Sequence, residues 1–231
     1  MPPADMCVAL DLPTSARALH LVDALEDAVL WYKVGPALFV SDGPALVRAL
    51  VERGRRAFLD LKWHDIPSTV AGAVEAAAAT GVSLATLHLA GGREMLGAAA
   101  SSRTGSLLQL VGVGVLTSFT AASYGNAVGR AVVDVAEEQE RLVRQSLGSG
   151  LDGFVCAVTE ARVLRRAVGA QALLVTPGIR RGSDAAGDQR RTATPAEAVL
   201  AGADLLVIGR PITGADDPRA AVRAIRAEMA A

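Results

Sequence analysis

The chain of 231 residues contains only two lysines, Lys33 and Lys62, and both lie in apolar segments typical of buried strands. Lys62 stands between carboxylates in the segment DLKWHD, residues 60–65. An ammonium group can titrate and hand over a proton, whereas a guanidinium group stays charged, so a retained lysine indicates chemistry that arginine cannot do. Charged side chains beside an apolar run are costly unless they pair, and such clusters often mark functional sites. The pattern predicts a site that works by charge and proton transfer.

A purely structural interpretation of this segment is also available. Taken alone, Asp60 and Lys62 are explained as well by a buried ion pair that only holds the register of a strand. However, Lys33, Asp11 and Asp65 are expected at the same depth in the barrel as Asp60 and Lys62, which weakens the structural interpretation. Burying five ionisable groups costs too much to be explained by packing alone. The functional interpretation is therefore favoured.

Short apolar runs alternate with longer helix-like segments along the whole chain. The predicted strands are 6–11, 29–34, 57–62, 84–89, 107–116, 153–157, 172–176 and 204–208, and the clearest helical segments are 14–27, 36–53, 67–81 and 129–148. Repeated strand–helix units require right-handed crossovers and a parallel sheet, and eight units at this length favour a closed (β/α)₈ TIM barrel of the α/β class, as a single domain over 1–231. An open doubly wound sheet is the alternative, but no Gly-x-Gly-x-x-Gly follows the first strand.

Polar residues gather where the predicted strands end, which is the catalytic face of such a barrel. They are Asp11, Lys33, Asp60, Lys62, His88, Thr117, Ser118 and Arg210. Asp60 and Lys62 lie two residues apart, so their side chains share one face of the strand. If Leu61 faces the helices, that shared face is the barrel interior.

Two segments near the C-terminus predict an anion site. TPGIR (176–180) and VIGR (207–210) close the last two strands, and barrels commonly hold a phosphate between those two loops with backbone N–H groups and arginine. Alternatively, Arg210 caps carbonyl groups or pairs with Asp216 or Asp217. The polar stretch 181–193 is long and polar enough to be a mobile lid.

Composition excludes several classes of protein. The net charge of −1 and the pI near 6.3 argue against a nucleic-acid binder. Cys7 and Cys156, both in apolar surroundings, indicate buried reduced thiols, and three scattered histidines give no metal-ligand spacing. The N-terminus has no signal-peptide pattern, and no apolar stretch is long enough to span a bilayer. A soluble cytoplasmic protein without a membrane partner is expected.

The ten-residue segment DLKWHDIPST (60–69) closely resembles the orotidine 5′-phosphate decarboxylase family. Further motifs follow in the family's order: ALD (9–11), KVG (33–35), LTS (116–118), TPGIR (176–180), DQR (188–190) and IGR (208–210). The resemblance covers essentially the whole chain. It implies a TIM barrel that converts orotidine 5′-phosphate to uridine 5′-phosphate and CO₂ with no metal or organic cofactor.

The resemblance also implies a role for each member of a charge array. Lys62 would give a proton to C6 of the pyrimidine, and Asp60 would crowd the departing carboxylate. Lys33 and Asp65 would complete the alternating array. Asp65 and Thr69 would reach into the neighbouring subunit's site, so a homodimer is implied.

The remaining implied roles concern substrate binding. Asp11 and Lys33 would contact ribose hydroxyls, and Thr117 the pyrimidine region, although one sequence does not decide which hydroxyl in 117–120 meets the base. Arg180, Gln189, Gly209 and Arg210 would hold the phosphate, with 181–191 as a mobile loop that closes over it. Pro177 would also bind the substrate.

Two alternative functions stay open. A Mg²⁺-dependent sugar-phosphate decarboxylase or aldolase of the same superfamily shares Asp-x-Lys-x-x-Asp, but tends to carry an acidic residue where this chain has Lys33. An inactive barrel that binds a phosphate ligand or only dimerises is the other possibility. Retention of every charged member of the array argues against it.

Overall fold

The computed structural model describes residues 4–131, 133–181 and 192–231. Eight parallel strands pair in chain order and close into a barrel, because β1 pairs with both β2 and β8. The strands are β1 Asp5–Ala9, β2 Trp31–Val34, β3 Arg56–Trp63, β4 Leu84–His88, β5 Gln109–Val113, β6 Gly153–Val155, β7 Leu173–Thr176 and β8 Leu205–Ile208. The predicted (β/α)₈ barrel is confirmed, and the open sheet is wrong because β1 has a partner on each side.

Helices connect the strands on the outside of the barrel. They are α1 Ser15–Leu25, α2 Pro36–Glu52, α3 Pro67–Ala78, α4 Gly92–Ser102, α5 Ala121–Ala127, α6 Val135–Ser146, α7 Val158–Val168, α8 Pro195–Leu200, α9 Arg210–Thr213 and α10 Pro218–Met229. Short 3₁₀ turns occur at Glu26–Ala28 and Leu89–Gly91. No helix in the described ranges is both long and apolar enough to cross a bilayer.

Local sequence explains where several helices begin. Proline occupies the first turn of α2, α3, α8 and α10, where its missing N–H is no loss. Thr194 caps α8, and its hydroxyl accepts the N–H of Glu197. The helix predicted over 129–148 begins only at Val135, because the Asp134 carboxylate caps the chain there by accepting the N–H groups of Ala136 and Glu137.

The core has two layers. Outward strand residues pack against the helices, and the inward residues Cys7, Ala9, Trp31, Phe58, Leu84, Val111, Val175, Leu205 and Val207 fill the barrel. Both cysteines are buried free thiols, as predicted. Two residues beyond Trp31, Phe58 and Leu84 on their strands, the inward positions become polar. The apolar filling therefore forms a floor beneath a polar layer.

Candidate active site

A cavity of about 520 Å³ opens at the C-terminal ends of the strands. Charged side chains reach it from six positions: Asp11, Lys33, Asp60, Lys62, Arg180 and Arg210. An apolar wall faces them, made by Val113, Val115, Leu116, Val155, Val175 and Val207. The cavity therefore combines an apolar lining with a small number of convergent polar groups, as small-molecule sites do.

Four of these charged side chains, those of Asp11, Lys33, Asp60 and Lys62, form a continuous network centred on Asp60. Its Oδ1 lies 2.8 Å from the Nζ of Lys62, and its Oδ2 lies 3.4 Å from the Nζ of Lys33. The same Lys33 Nζ lies 3.3 Å from Oδ1 of Asp11. Side-chain exposure is 13% for Asp60 and 12% for Lys33, but 34% for Lys62. Lys62 is thus the ammonium group that is more open to a bound ligand.

Burial and charge act in opposite directions on this network. Burial alone would raise the pKa of Asp60, but the ammonium groups of Lys33 and Lys62 and the hydrogen bonds that the carboxylate accepts outweigh it, so the pKa lies below its ordinary value. Burial likewise acts to lower the pKa of Lys33, but Asp60 and Asp11 hold it above its usual range. Both side chains are therefore charged at neutral pH.

The predicted shared face of Asp60 and Lys62 is confirmed, since both line the cavity while Leu61 packs toward the helices. The pairing of β3 with β4 is irregular at this point, however, because the register shifts between Leu59 and Trp63. Lys62 has a positive φ of 51°, which is uncommon for a residue with a side chain. The main chain is therefore strained at the lysine that the sequence singles out.

Thr86 is a part of this site that sequence reasoning missed. Its buried hydroxyl accepts the Lys62 N–H at 2.8 Å and donates to Asp60 Oδ1 at 3.1 Å. The available signal was a hydroxyl at an inward position of an otherwise apolar strand. Gly35, in the KVG motif, also belongs to the site, because a Cβ there would lie 3.3 Å from Asp11 Oδ1 and crowd the Asp11–Lys33 pair.

The expectation of five buried ionisable groups at matching depths is wrong. Asp11 lies two residues beyond the end of β1, and its side chain is 66% exposed. Asp65 and Thr69 are exposed, and neither lines the cavity of its own chain. The Asp65 carboxylate instead accepts the N–H of Ile66 at 2.6 Å as the chain turns into α3. Only Lys33 and Asp60 have strongly buried side chains.

The predicted phosphate residues lie together at one end of the cavity. Pro177, Arg180, Gly209 and Arg210 follow β7 and β8 and all line it, as does Gly178. The alternative partner Asp217 caps α10 through the N–H of Ala220. Gln189 and most of the loop 181–191 lie outside the described residues.

The pyrimidine side of the predicted site lies in the loop after β5. Thr117 and Ser118 line the cavity, but Thr117 lies four positions beyond the end of β5 at Val113. The strand predicted over 107–116 is therefore too long. It ends early because the N–H of Val115 donates to the side chain of Gln139 on α6, at 2.7 Å, and not to a neighbouring strand.

The remaining candidates have structural surroundings. His64 and His88 stack with ring centroids 5.2 Å apart, and burial, with the nearby His64 and Lys62, lowers the pKa of His88. Trp31 packs in the barrel floor beneath the guanidinium of Arg56. Across the described ranges, no group of three or more histidine, cysteine, aspartate or glutamate side chains is arranged to hold a metal ion.

A known protein family matches this chain over residues 4–225, the Orotidine 5′-phosphate decarboxylase / HUMPS family. The chain belongs to this family. Among curated members, the orotidine 5′-phosphate decarboxylase of Anaeromyxobacter sp. (strain K) is 50% identical over 228 residues, covering 99% of both chains. That of Nitratidesulfovibrio vulgaris (strain DP4) is 46% identical over 235 residues, covering 99% of this chain and 98% of the relative.

Solved structures of orotidine 5′-phosphate decarboxylases share the barrel. The crystal structure from Lactobacillus acidophilus has a TM-score of 0.87 at 34% identity and covers 99% of this chain and 100% of that one. The enzyme from Pyrococcus horikoshii OT3 has a TM-score of 0.78 at 24% identity, covering 98% and 99%, and supports the fold alone. The family relation therefore extends over the whole barrel, including every strand end that lines the cavity.

Proposed function

We propose that this protein decarboxylates orotidine 5′-phosphate to uridine 5′-phosphate and CO₂, the last step in the synthesis of pyrimidine nucleotides. The observation that carries the proposal is the Asp60 carboxylate held between two ammonium groups, Lys33 and Lys62, beside an apolar wall. The motifs of residues 60–69 and the relatives named orotidine 5′-phosphate decarboxylase support it. The enzyme is then a carboxy-lyase.

The proposed reaction requires a group that stabilises negative charge at C6. The bond from C6 to the carboxyl carbon breaks, its electron pair stays on C6, and CO₂ leaves. The Lys62 ammonium then donates a proton to C6, forming the C6–H bond, and the neutral amine regains a proton from water. A positive charge fixed in advance beside the carbanion acts far more strongly in a closed cavity than in water. Lys62, the more open of the two lysines, takes this role.

Asp60 and Lys33 have supporting roles in this proposal. The Asp60 carboxylate lies beside the substrate carboxylate, which disfavours the bound ground state relative to the carbanion, from which CO₂ has left. Its two ammonium partners keep it ionised. Lys33 with Asp11 contacts the ribose hydroxyls, and the apolar wall receives the uncharged CO₂.

The other end of the cavity would hold the phosphate. Arg180 and Arg210 supply the positive charge, while Pro177 and Gly209 shape the loops that approach it. Thr117 contacts the pyrimidine. We propose that the loop 181–191 is a mobile lid, in which Gln189 would add a further phosphate contact on closure. The binding energy of the phosphate would then help to lower the barrier at C6.

We also propose that the protein works as a cytoplasmic homodimer. Asp65 and Thr69 lie exposed beside Ile66, which is itself 64% exposed. Neither Asp65 nor Thr69 lines the cavity of its own chain, which fits a role in the site of a neighbouring subunit. Asp65 and Thr69 would then complete the site of the neighbouring subunit.

A Mg²⁺-dependent sugar-phosphate enzyme is the nearest rival. Such a site needs carboxylates free to bind the ion. Here Lys33 pairs with both Asp11 and Asp60, at 3.3 and 3.4 Å, and Lys62 also pairs with Asp60, so both carboxylates already have cationic partners. This arrangement favours the metal-free reaction, and activity unchanged by EDTA would separate the two.

The decisive experiment follows the loss of orotidine 5′-phosphate absorbance with purified protein, with Lys62→Ala and Arg219→Ala beside it. Wild type and Arg219→Ala, which changes an exposed cation on α10, should turn over. Lys62→Ala should lose at least about 1,000-fold in kcat, because it lacks both charge and proton donor, yet still bind uridine 5′-phosphate. An active Lys62→Ala enzyme refutes the role of Lys62. Wild type that binds the nucleotide without converting it supports the inactive barrel.

A further inference from the structure

We propose that Thr86 is the positioning residue that fixes Asp60 and Lys62 relative to each other, an inference that builds on the proposed function. Thr86 lies on β4 in the polar layer above the barrel floor, and none of its surface is exposed. It does not line the cavity, so it acts only through the two charged residues.

The strand pairing explains why a hydroxyl is needed there. Leu59 pairs with Ala85 and Trp63 with Leu87, so residues 60–62 of β3 stand opposite Thr86 alone. A regular ladder cannot satisfy three residues with one, and a buried N–H without a partner costs about 1–3 kcal/mol. The Thr86 Oγ1 accepts the Lys62 N–H at 2.8 Å. In a regular strand, a main-chain carbonyl would accept this N–H.

The same oxygen donates its only proton to Asp60 Oδ1, at 3.1 Å. That carboxylate oxygen in turn accepts the Nζ of Lys62 at 2.8 Å. The contacts form a closed ring: Lys62 main chain, Thr86 hydroxyl, Asp60 carboxylate and Lys62 ammonium. The ring ties the catalytic ammonium group to the main chain of its own residue.

Lys62 needs such a tie because its main chain is in the left-handed region, with a φ of 51°. Residues with a Cβ hold this conformation only where the surroundings impose it. Without the hydroxyl, the main chain of Lys62 can relax toward the ordinary strand conformation and carry its side chain away from C6. Lys33 does not replace the tie, because its Nζ is shared between Asp60 and Asp11.

The first test compares Thr86→Val, which keeps the shape but removes the hydroxyl, with Thr86→Ser, which keeps the hydroxyl. We expect kcat to fall about 100-fold in the valine variant, since a displacement near 1 Å at the reacting atoms has that effect. KM and the Kd for uridine 5′-phosphate should change less than about 3-fold, because the phosphate contacts are untouched. Serine should restore kcat to within about 5-fold of wild type.

A second test does not depend on turnover. With only two lysines in the chain, ¹⁵N-lysine labelling gives two side-chain ammonium signals. Substituting Lys33→Arg assigns them. In Thr86→Val the Lys62 ammonium signal should move further from its wild-type position than the Lys33 signal does. In Thr86→Ser the Lys62 signal should lie at its wild-type position again. If valine prevents folding, Thr86→Cys, whose thiol is a weak donor, takes its place.

The outcomes separate the inference from the proposed function. Wild type that does not convert orotidine 5′-phosphate refutes the proposed function, and the lysine signals then still decide the positioning. An active wild type with an equally active Thr86→Val refutes the positioning role of Thr86. So does a Lys62 signal that valine leaves in place, or a loss of kcat that serine fails to restore.

Discussion

At the scale of single residues, the Asp60 carboxylate is the side chain on which its neighbours depend most. It accepts contacts from Lys33, Lys62 and Thr86 at once. If it were removed, two ammonium groups would face each other in a partly dehydrated cavity, and an uncompensated buried charge is strongly destabilising. Asp60 therefore contributes to the stability of the barrel as well as to the proposed reaction.

With Asp60→Asn, the free energy of unfolding should depend less on pH in the acid range than it does in the wild type. Because the pKa of Asp60 is depressed in the folded protein, its stabilisation is present above the unfolded value of about 3.9 and is lost as pH falls through the lower folded value. We expect the gap in unfolding free energy between wild type and Asp60→Asn to narrow as pH falls from about 5 to below 3.9. Urea titrations at each pH measure it.

The control for this series is Glu52→Gln, an exposed carboxylate at the end of α2, on the side of the barrel opposite the cavity. Its stability curve should run parallel to that of wild type over the same pH range. A gap between wild type and Asp60→Asn that stays constant with pH would contradict the assigned stabilisation.

The sequence could predict which charged residues meet, but not what positions them. Lys33, Asp60 and Lys62 are conspicuous because ionisable groups in apolar strands require partners, and strand alternation puts them on the inner face. Thr86 is not ionisable, and its only signal in the sequence is a hydroxyl within an apolar strand. Its role follows from the irregular pairing of residues 60–62, which hydrophobic periodicity does not reveal.

At the scale of secondary-structure elements, a single side chain joins α6 to the loops that line the cavity. Gln139 is fully buried; its Oε1 accepts the N–H of Val115, and its Nε2 donates to the carbonyl of Val155 at 3.0 Å. These two contacts fix the ends of β5 and β6. A Cβ at Gly114 would collide with the Gln139 amide, so the glycine permits the close approach.

Substituting Gln139→Leu should therefore destabilise the protein by about 2–4 kcal/mol, because two buried main-chain groups lose their partners. The control on the same helix is Gln145→Leu, which removes an exposed glutamine whose Oε1 accepts from Arg141. It should change the free energy of unfolding by less than about 0.5 kcal/mol. Denaturant midpoints with unchanged m-values measure both. Equal effects from the two substitutions would contradict the role of Gln139 as a brace.

All eight strands could be predicted as elements because apolar runs alternate regularly with helical segments. The predicted ends of elements are wrong where a side chain, not another main-chain group, forms the hydrogen bond with the main chain. β5 ends early at the contact between Gln139 and Val115, and α6 starts late at the Asp134 cap. The short helix α5 begins at a capping box formed by Thr120 and Ser123, a pair without strong apolar periodicity.

The barrel as a whole has an apolar floor and, at the C-terminal ends of its strands, a polar rim that carries the proposed active site. The floor is apolar and closed by the pairing of β1 with β8, while the rim holds the charge network and the loops. Asp65 and Thr69 project from this rim yet do not line their own cavity. In the proposed dimer they cross to the other subunit, so each working site contains residues of two chains.

Mixing two inactive variants tests this shared site. In a heterodimer of Lys62→Ala and Asp65→Ala, one site carries both defects and the other carries neither. Random exchange makes half of the dimers mixed, so about a quarter of wild-type activity should appear. The control mixes Lys62→Ala with Lys33→Ala, whose defects lie in the cavity of their own chain; both sites of that heterodimer are defective, and no activity should return. Decarboxylation rates after dissociation and reassembly measure both mixtures, and a Lys62→Ala/Asp65→Ala mixture that stays inactive despite proven subunit exchange would place Asp65 outside the neighbouring site.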